Sequence, residues 1–490
     1  MNTESAGPNG RQSAVKIGKK AFLFSAAIIL LLMIGSGILT VVLPAGRFDR
    51  VVEDGRTLVV NGSYREIPPP RYPFWRWFTA PLEVLAGPDN LTPIVLVVFI
   101  IAVGGSIAVL ESAGVMEALI KLLVARFAGR RYLLIALIIF FFMTISSFVG
   151  IYEGMVPMII FIIPAAISLG FDTMTGLGMS LLPLAFGFAS AVTNPFTIAV
   201  AQRIADLPLF SGAWLRIIFF VVVYVIVTVF VIRYARRVAA NPALSPCYAD
   251  DQALRRSLGI ENTAAEGTAD RRVWKALVWF ALCVAAAMIL VISTARMPGL
   301  SNLAFPVMTV LFLTGGIGGG FFAGLGRRTF AGFGRGALNI LPGVVLVLMA
   351  YSVKQIITAG MIMDTILYLA AELIRRSPPM AAAFLIYAAT LVMNFFIGSA
   401  SAKAFLMMPL LTPLADLVGI TRQTAVLAFD FGDGFSNMIF PTNALLLIAL
   451  SFSSAGYTRW MAWTWKLQVV ILVVTSAFLA FAVSMGFGPF

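Results

Sequence analysis

Long apolar runs alternate with short polar segments along almost the whole chain. Several runs reach the roughly 20 residues that an α-helix needs to cross a bilayer. Two of the predicted spans, described below, are interrupted. The uninterrupted runs predict single spans over 21–43, 91–110, 212–234, 272–295, 302–325, 336–353 and 461–485. The pattern therefore predicts an all-α polytopic membrane protein with about nine transmembrane helices.

Two apolar stretches are divided in the middle by small polar residues. Residues 132–170 are interrupted around Ser147 and Gly150, and residues 380–419 are interrupted around Ser399. Each half is about 16 residues, short of the roughly 20 that a full crossing requires. Short helices that meet at a polar tip survive at membrane depth only where protein or a water-filled cavity surrounds the tip. We therefore predict two re-entrant hairpins.

Each predicted hairpin is followed by an apolar helix with a proline in its middle. The first, over 173–208, is broken at Pro195, and the second, over 421–453, is broken at Pro441. Proline removes a backbone donor, so nearby carbonyl groups lose their helical partners. Broken helices with freed carbonyls and half-helix N-termini are typical of transporter binding sites.

The order helix, amphipathic segment, hairpin, broken helix and helix occurs twice. Ser190 and Pro195 of the first copy match Ser436 and Pro441 of the second at a constant separation of 246 residues. The first copy enters the membrane from outside and the second from inside, so we predict inverted repeats. Such repeats place a substrate near the bilayer midplane.

Basic residues decide the predicted orientation. The net charge is +13, and Lys/Arg-rich segments of membrane proteins lie on the cytoplasmic side. Lys16, Lys19 and Lys20 precede the first span, which predicts a cytoplasmic N-terminus in the inner (plasma) membrane. The pair Arg375 and Arg376 is the exception. The predicted segments are a cytoplasmic tail (1–20), a first span with an external loop (21–90), repeat 1 (91–237), a cytoplasmic loop (238–270), linking spans (271–335) and repeat 2 (336–490).

Glu153 lies at the first predicted tip. A charged group at membrane depth costs roughly 2.5–3.5 kcal/mol on insertion scales, which implies a partner, an ion or a water-filled cavity. We interpret Glu153 as a ligand for a coupling cation or for a cationic group of the substrate, with a candidate Na⁺ site near Glu153 and Asn194 of the following break. The alternatives are a buried ion pair or a tip displaced toward water.

Lys403 and two carboxylates form a second group of candidate charges. Lys403 could bind a substrate carboxylate, replace a coupling sodium ion with its ammonium group, or pair with Glu153 or Asp433. Asp430 and Asp433 lie three residues apart and share a helix face. Either could take up a proton or a cation. We favour Asp433, because Asp430 could simply face the outer vestibule.

Hydroxyl, amide and small residues cluster at both tips and both breaks. Hydroxyl and amide oxygens suit Na⁺ and substrate hydrogen bonds, and a half-helix N-terminus favours a carboxylate. Singly, each such residue is more often a helix-packing group. Together, at four pseudo-symmetric places, they predict the substrate and ion site. The predicted set is Ser146, Ser147, Gly150, Glu153, Thr193, Asn194, Thr197, Asn394, Ser399, Ser401, Lys403, Asp433, Ser436, Asn437, Thr442 and Asn443.

Composition disfavours several other classes of function. The 490 residues are 60% hydrophobic and 12% charged, whereas soluble domains carry about 25% charge. The sequence has no His, the commonest metal ligand, and Cys247 and Cys283 have no metal or disulfide spacing. Its glycine-rich runs lack the Lys-Ser/Thr of a phosphate loop. We expect no enzyme, no nucleic-acid partner, and no cofactor beyond Na⁺ or H⁺ as a coupling ion.

Four motifs resemble one transporter family. They are 43–50 (LPAGRFDR), 193–196 (TNPF), 413–419 (PLADLVG) and 431–437 (FGDGFSN) with the following Pro441-Thr442. Over nearly its whole length the chain resembles the YfcC-type carriers of the anaerobic C4-dicarboxylate carrier family, within the wider ion-transporter superfamily. The resemblance implies a two-hairpin, elevator-type carrier. Its relatives move C4-dicarboxylates, exchange basic amino acids or move aminobenzoyl-glutamate.

Two charged positions depart from the pattern of that family. Gln is more usual where Lys403 stands, and Asp430 also differs. Sodium-coupled dicarboxylate relatives carry Ser-Asn-Thr at both tips, and this chain does not. The resemblance therefore leaves the substrate and the coupling ion open.

The leading hypothesis is a secondary active carrier of a small carboxylate-bearing solute, either a C4-dicarboxylate or an amino acid. The alternative is an exchanger of basic amino acids. An ion channel would need a continuous row of polar residues along a pore, and a membrane enzyme would need a base and a nucleophile at one interface. The sequence has no such row, and the absence of His disfavours the enzyme. The lipid bilayer is the expected environment, and both a monomer and a homodimer remain open.

Overall fold

The computed structural model describes residues 19–53, 56–87, 90–257, 270–295 and 304–488. The helices before the linking spans are α1 (Lys19–Val42), α2 (Arg76–Glu83), α3 (Leu91–Ser112), α4 (Val115–Phe127), α5 (Arg131–Thr144), α6 (Ile159–Ser168), α7 (Thr173–Ser190), α8 (Ile198–Ile204), α9 (Ala213–Ala240) and α10 (Tyr248–Ser257). The remaining helices are α11 (Arg271–Ala295), α12 (Ala304–Phe322), α13 (Arg328–Ala359), α14 (Met363–Arg375), α15 (Pro379–Phe396), α16 (Ala400–Val418), α17 (Arg422–Gly434), α18 (Ala444–Ser451) and α19 (Gly456–Ser484).

Ten helices of the described ranges are long and apolar enough to cross a membrane. Segments Gly154–Ser168 and Pro306–Phe322 are shorter apolar helices. The predicted all-α polytopic membrane class is therefore confirmed. The ten include α5, α15 and α16, which fall within the stretches predicted as hairpins.

Short strands occur in the segment predicted as an external loop. They are β1 (Gly46–Arg47), β2 (Arg50–Glu53), β3 (Arg56–Val59) and β4 (Arg65–Glu66). β1 pairs with β4 and β2 pairs with β3, both antiparallel. The sequence analysis did not foresee them, because polar strands of two to four residues carry too little alternation to be recognised.

Asp364, near the N-terminal end of α14, binds this strand segment. Its carboxylate accepts hydrogen bonds from the backbone N–H of Phe48 at 2.9 Å and from Arg50 Nη2 at 2.8 Å. Beside it, the rings of Tyr64 and Tyr368 stack with centroids 4.1 Å apart. The motif 43–50 therefore joins the first span to the second half of the chain.

α13 differs from its prediction. The sequence predicted a span over 336–353, whereas the structure has one helix from Arg328 to Ala359. No Gly or Pro lies between 353 and 356, so nothing there stops the helix. The chain turns instead at Met361, whose φ is +55°.

α7 and α17 form the centre of the molecule and pack against each other. Every residue of α7 is buried. Asp172 begins α7 by accepting a hydrogen bond from the N–H of Thr175, and Thr421 begins α17 by accepting one from the N–H of Thr424. A helix that is buried all round has no lipid-facing stripe, so its polar residues are enclosed by protein.

The first halves of the two broken helices, α7 and α17, contact each other at their C-terminal ends. An added Cβ on Gly434, the last residue of α17, would lie 2.1 Å from Cα of Ala189 near the end of α7. Only glycine permits this approach of two backbones. The two breaks, 191–197 and 435–443, are therefore neighbours.

Candidate functional site

A buried ion pair lies at the second break. Lys403 of α16 and Asp433 of α17 are both 0% exposed, and the ammonium group of Lys403 contacts Asp433 Oδ1. Lys403 also donates to the side-chain oxygen of Asn394. Apart from this ion pair, neither Asp433 oxygen has a hydrogen-bond partner among the described residues. Of the alternatives for Lys403, pairing with Asp433 is the one present here.

Asn394 of α15 connects this ion pair to the break. Its amide nitrogen lies 3.1 Å from the carbonyl oxygen of Asp433, 2.6 Å from Ser436 Oγ and 3.1 Å from Asn437 Oδ1. Asn437 accepts a further hydrogen bond from Asn443 Nδ2 at 2.8 Å. Asn394, Asn437 and Asn443, with Ser436, thus form one buried polar network around the charged pair.

Asn443 also begins the second half of the broken helix. Its Oδ1 accepts from the N–H groups of Leu445 at 3.0 Å and Leu446 at 3.2 Å, which otherwise have no partner at the start of α18. Part of its role is therefore structural.

The second tip lies between α15 and α16. Ser399 caps α16, with Oγ 3.4 Å from the N–H of Ala402, and its side chain is exposed. Ser401 is half-buried beside it, and the two hydroxyls lie 3.5 Å apart. Thr442 of the break donates to the carbonyl oxygen of Phe395 at 2.6 Å. The structure thus brings the second tip and the second break together.

The first tip and the first break are also joined. Ser147 Oγ accepts from the N–H of Val192 at 3.2 Å, and Thr193 Oγ1 donates to the carbonyl oxygen of Phe148 at 2.9 Å. Ser146 donates instead to the carbonyl oxygen of Leu184, inside α7. Ser146 and Ser147 are fully buried, whereas Thr193 is half-buried.

Asn194 shapes the first break. Its Oδ1 accepts from the N–H groups of Phe196 at 2.8 Å and Thr197 at 3.3 Å, just before α8. Gly150, with φ +77°, packs on it so closely that an added Cβ would lie 2.3 Å from Asn194 Oδ1. Asn194 Nδ2 and Thr197 Oγ1 are buried without a partner among the described residues.

Glu153 opens a 3₁₀ helix, Glu153–Met158, after the first tip. Its side chain lies outside the described part of the structure. The predicted cation site at Glu153 and Asn194 therefore stays a prediction.

Asp430 does not face an outer vestibule, and that alternative was wrong. The residue is 1% exposed, one turn before Asp433 on α17. The two carboxylates have different neighbours: Asp433 meets Lys403, whereas Asp430 lies within electrostatic reach of Arg216 and beside Thr197.

Arg216 of α9 was missed by the sequence analysis. It is 1% exposed, and its guanidinium donates to the carbonyl oxygens of Ala191 at 3.1 Å, Val192 at 3.2 Å and Ser211 at 2.9 Å. Two of these carbonyls belong to the first break. An Arg inside an otherwise apolar span was the signal that could have found it.

Two aromatic residues of α19 play the corresponding part in the second repeat. Trp460 Nε1 donates to the carbonyl oxygen of Met438 at 3.0 Å, and the Tyr457 hydroxyl donates to that of Ile439 at 2.6 Å. In each repeat, the long helix after the broken helix donates hydrogen bonds to freed carbonyls of the break. The donor is the cation Arg216 of α9 in the first repeat and the neutral side chains of Trp460 and Tyr457 of α19 in the second.

A separate polar cluster, the α10 cluster, lies at the opposite end of α7 from the break. Thr173 donates to Asp251 of α10 at 2.5 Å, while Tyr234 and Ser245 donate to Asp172 at 2.6 and 2.8 Å. Burial and the neighbouring Asp172 raise the pKa of Asp251 to about 7, against the lowering effect of the hydrogen bonds from Thr173. These hydrogen bonds attach α10 to the start of α7, so we assign the α10 cluster to the docking of α10.

No group of three or more His, Cys, Asp or Glu side chains that could hold a metal ion is found in the ranges that the structure describes. Na⁺ is bound by hydroxyl, amide and carbonyl oxygens, so a sodium site would take a different form.

Comparisons with known proteins agree with a transporter. The family model described as C4-dicarboxylate anaerobic carrier (DcuC) matches residues 23–484. YfcC of Escherichia coli (strain K12), named as a proposed basic amino acid antiporter, is 30% identical over 497 residues, with 94% of this chain and 96% of that protein covered. An uncharacterised protein of Haemophilus influenzae is 26% identical over 395 residues, with 80% and 75% covered.

Two solved transporters align at low similarity. The YdaH transporter of Alcanivorax borkumensis is 18% identical with a TM-score of 0.41, covering 96% of this chain and 100% of its own. MtrF of Neisseria gonorrhoeae is 17% identical with a TM-score of 0.39, covering 97% and 96%.

Proposed function

The chain belongs to the C4-dicarboxylate anaerobic carrier family and is a membrane transporter, and we propose that it is a secondary active carrier of a small carboxylate-bearing solute. The solute would be a C4-dicarboxylate or an amino acid. The observation that carries the proposal is the enclosed Lys403–Asp433 pair at the junction of two broken helices. A fixed ammonium group beneath a polar hairpin tip is a receptor for a carboxylate.

Substrate binding would use the groups that surround this pair. One solute carboxylate would approach Lys403 and the N-terminus of α16 at Ser399, where the helix dipole favours negative charge. Asn394 and Asn437 would donate and accept hydrogen bonds to the rest of the solute. For a zwitterionic amino acid, Asp433 would take the ammonium group.

Access to the site requires movement. Lys403, Asp433 and Ser436 are 0% exposed, so a solute reaches them only after the second tip separates from the break. We define the mobile unit as the two hairpins (131–168 and 379–418) with α7, α8, α17 and α18, and the scaffold as the other spanning helices. An elevator-type cycle would move the mobile unit against the scaffold, with the N-terminus in the cytoplasm and the protein in the inner membrane.

The test is uptake into proteoliposomes that contain the purified full chain. Labelled malate, arginine and alanine are offered separately, with no gradient, with a pH gradient and with a sodium gradient. The proposal predicts uptake of at least one solute, lost about tenfold or more in Lys403→Met and retained in Lys466→Met. Lys466 lies exposed on α19 and is the matched control. Full uptake by Lys403→Met would overturn the role of the pair.

Exchange of basic amino acids is the second candidate. Asp430 and Asp433 are two buried carboxylates near the junction, and a cationic side chain is a natural partner for one of them. The name of the Escherichia coli relative points the same way. Arginine counterflow against internal arginine or ornithine, with no malate uptake, would favour this candidate.

Where Na⁺ rather than H⁺ is the coupling ion, we propose that it binds at Glu153 and Asn194. Glu153→Gln is expected to reduce the dependence of uptake on the driving ion. Unchanged uptake with unchanged ion dependence would remove Glu153 from the coupling site.

A further inference from the structure

Asp430 is a buried carboxylate that the proposed substrate site does not use. It is 1% exposed, and both of its oxygens lack a hydrogen-bond partner among the described residues. Thr197 Oγ1 is buried beside it, close enough to stabilise the charged carboxylate, although the two groups do not meet hydrogen-bond geometry. A carboxylate buried without hydrogen bonds costs several kcal/mol, so such a group takes up a proton or a cation.

Arg216 does not complete this site. It acts on Asp430 electrostatically, but its N–H groups are directed to the carbonyl oxygens of Ala191, Val192 and Ser211. The guanidinium is therefore bound to the first break. It lowers the electrostatic cost of a charge on Asp430 without supplying the hydrogen bonds that a permanently ionised carboxylate needs.

The same contacts disfavour sodium beside Asp430. A hard cation needs several oxygen ligands. The carbonyls of Ala191 and Val192 already accept from Arg216, and Asn194 Oδ1 accepts from two N–H groups. Among the described residues, Thr197 Oγ1 is the side-chain oxygen beside the carboxylate that has no other hydrogen-bond partner, whereas Asn194 presents the donor Nδ2. One hydroxyl is too few for sodium but suffices to accept from a protonated carboxyl group.

From this arrangement we infer that Asp430 binds the coupling proton of the carrier, an inference that rests on the proposed function. Asp430 takes a proton when the junction opens to one side of the membrane, and its carboxyl then donates to Thr197 Oγ1. It releases the same proton when the junction opens to the other side. No other bond is made or broken.

Charged groups around Asp430 come from three helices. Arg216 faces it from α9 and Asp433 follows it on α17, while Lys403 of α16 acts through Asp433. Thr197, at the start of α8, is polar but does not titrate at any accessible pH. Proton binding at Asp430 therefore responds to solute binding at Lys403, because a carboxylate on Lys403 changes the charge that Asp433 presents.

The experiment separates coupling from transport in one vesicle preparation. Wild type, Asp430→Asn, Asp430→Glu and Asp416→Asn are each measured for solute counterflow without a gradient and for accumulation driven by a pH gradient. Asp416 is exposed and paired with Arg422, so Asp416→Asn is the matched control. We expect Asp430→Asn to lose accumulation at least about tenfold and to keep at least about a tenth of counterflow. Asp430→Glu, which still titrates, keeps part of the accumulation.

Infrared difference spectra between acidic and alkaline pH give a readout that does not need transport. In an Asp251→Asn background, which removes the other buried carboxyl group that titrates in this range, the chain with Asp430 should show the carbonyl stretch of a buried protonated carboxyl group, and the added substitution Asp430→Asn should abolish that band. Accumulation by Asp430→Asn, loss of both transport activities in the folded protein, or a band that persists in this variant would each overturn the inference. Accumulation driven by a sodium gradient and lost in Asp430→Asn would overturn it in favour of a cation. Absence of any counterflow in wild type would instead refute the proposed function.

Discussion

At the scale of single residues, the site is organised by two buried cations that hold different partners. Lys403 neutralises a carboxylate, Asp433, whereas Arg216 satisfies backbone carbonyls of the first break. Removing one member of a buried ion pair leaves an uncompensated charge, which costs about 3–5 kcal/mol. The pair is therefore important for stability as well as for the proposed binding of a carboxylate.

Lys403→Met is predicted to lower the thermal stability of the purified protein, because Asp433 is left charged and buried. The double variant Lys403→Met/Asp433→Asn should recover a large part of the loss, since no charge remains unpaired. Thermal unfolding in detergent measures both, with Lys466→Met as the control. A double variant that is less stable than Lys403→Met would show that the ion pair is not the source of the effect.

The sequence predicted which residues form this site better than it predicted which of those residues pair with each other. Polar residues inside apolar runs identified Asn394, Lys403 and Asp433, and the structure places them in contact. The partner of Lys403 was one of several alternatives, because the rotation of each helix about its axis cannot be read from spacing. The burial of Asp430 and the contacts of Arg216 depend on helices that meet only in the folded chain.

At the scale of elements, the two breaks lie side by side because α7 and α17 approach each other closely. Gly434 meets the backbone of Ala189, and the freed carbonyls of each break are capped by α9 or α19. The prolines predicted the positions of the breaks, since proline has a fixed local effect. The caps could not be predicted, because they come from side chains 18 to 25 residues further along the chain.

Gly434→Ala is predicted to destabilise the protein and reduce transport, because the new methyl group would lie 2.1 Å from the backbone of α7. Overpacking of this kind typically costs about 1–3 kcal/mol. Gly334→Ala on α13 is the matched control, since its added methyl group meets no atom within 4 Å. Equal thermal stability of the two variants would show that α7 and α17 do not meet as described.

Docking of α10 is predicted to weaken as the pH rises. Burial raises the pKa of Asp251 to about 7 when α10 is docked, whereas a solvated Asp releases its proton near pH 4. The docked state therefore binds the proton more tightly, and its stability falls between about pH 4 and pH 7 and is then constant. Hydrogen exchange of 248–257, corrected for intrinsic rates, should report this loss. Asp251→Asn should make the protection independent of pH, and an unchanged pH dependence would contradict the assignment.

At the scale of the whole molecule, the proposed cycle requires the mobile unit to move against the scaffold. The order of elements in the two halves predicted which segments form each unit, but a single structure shows one arrangement of them. The first hairpin meets the scaffold at Gly154, where an added Cβ would lie 3.0 Å from Met308 Sδ of α12. Within the scaffold, an added Cβ on Gly104 of α3 would lie 3.1 Å from Ile340 Cβ of α13.

Reversible cross-linking at these two places tests the moving hairpin most directly. In a Cys247→Ala/Cys283→Ala background, the pair Gly154→Cys/Met308→Cys links hairpin to scaffold, and Gly104→Cys/Ile340→Cys links two scaffold helices. An added Cβ on Gly154 contacts the Met308 side chain, and one on Gly104 lies 3.1 Å from Ile340 Cβ, so both pairs are within reach of reversible thiol cross-linking. The account predicts that oxidation lowers counterflow at least about tenfold in the first pair, restored by reductant, and leaves the second unaffected. Full counterflow through a completely cross-linked hairpin would contradict it.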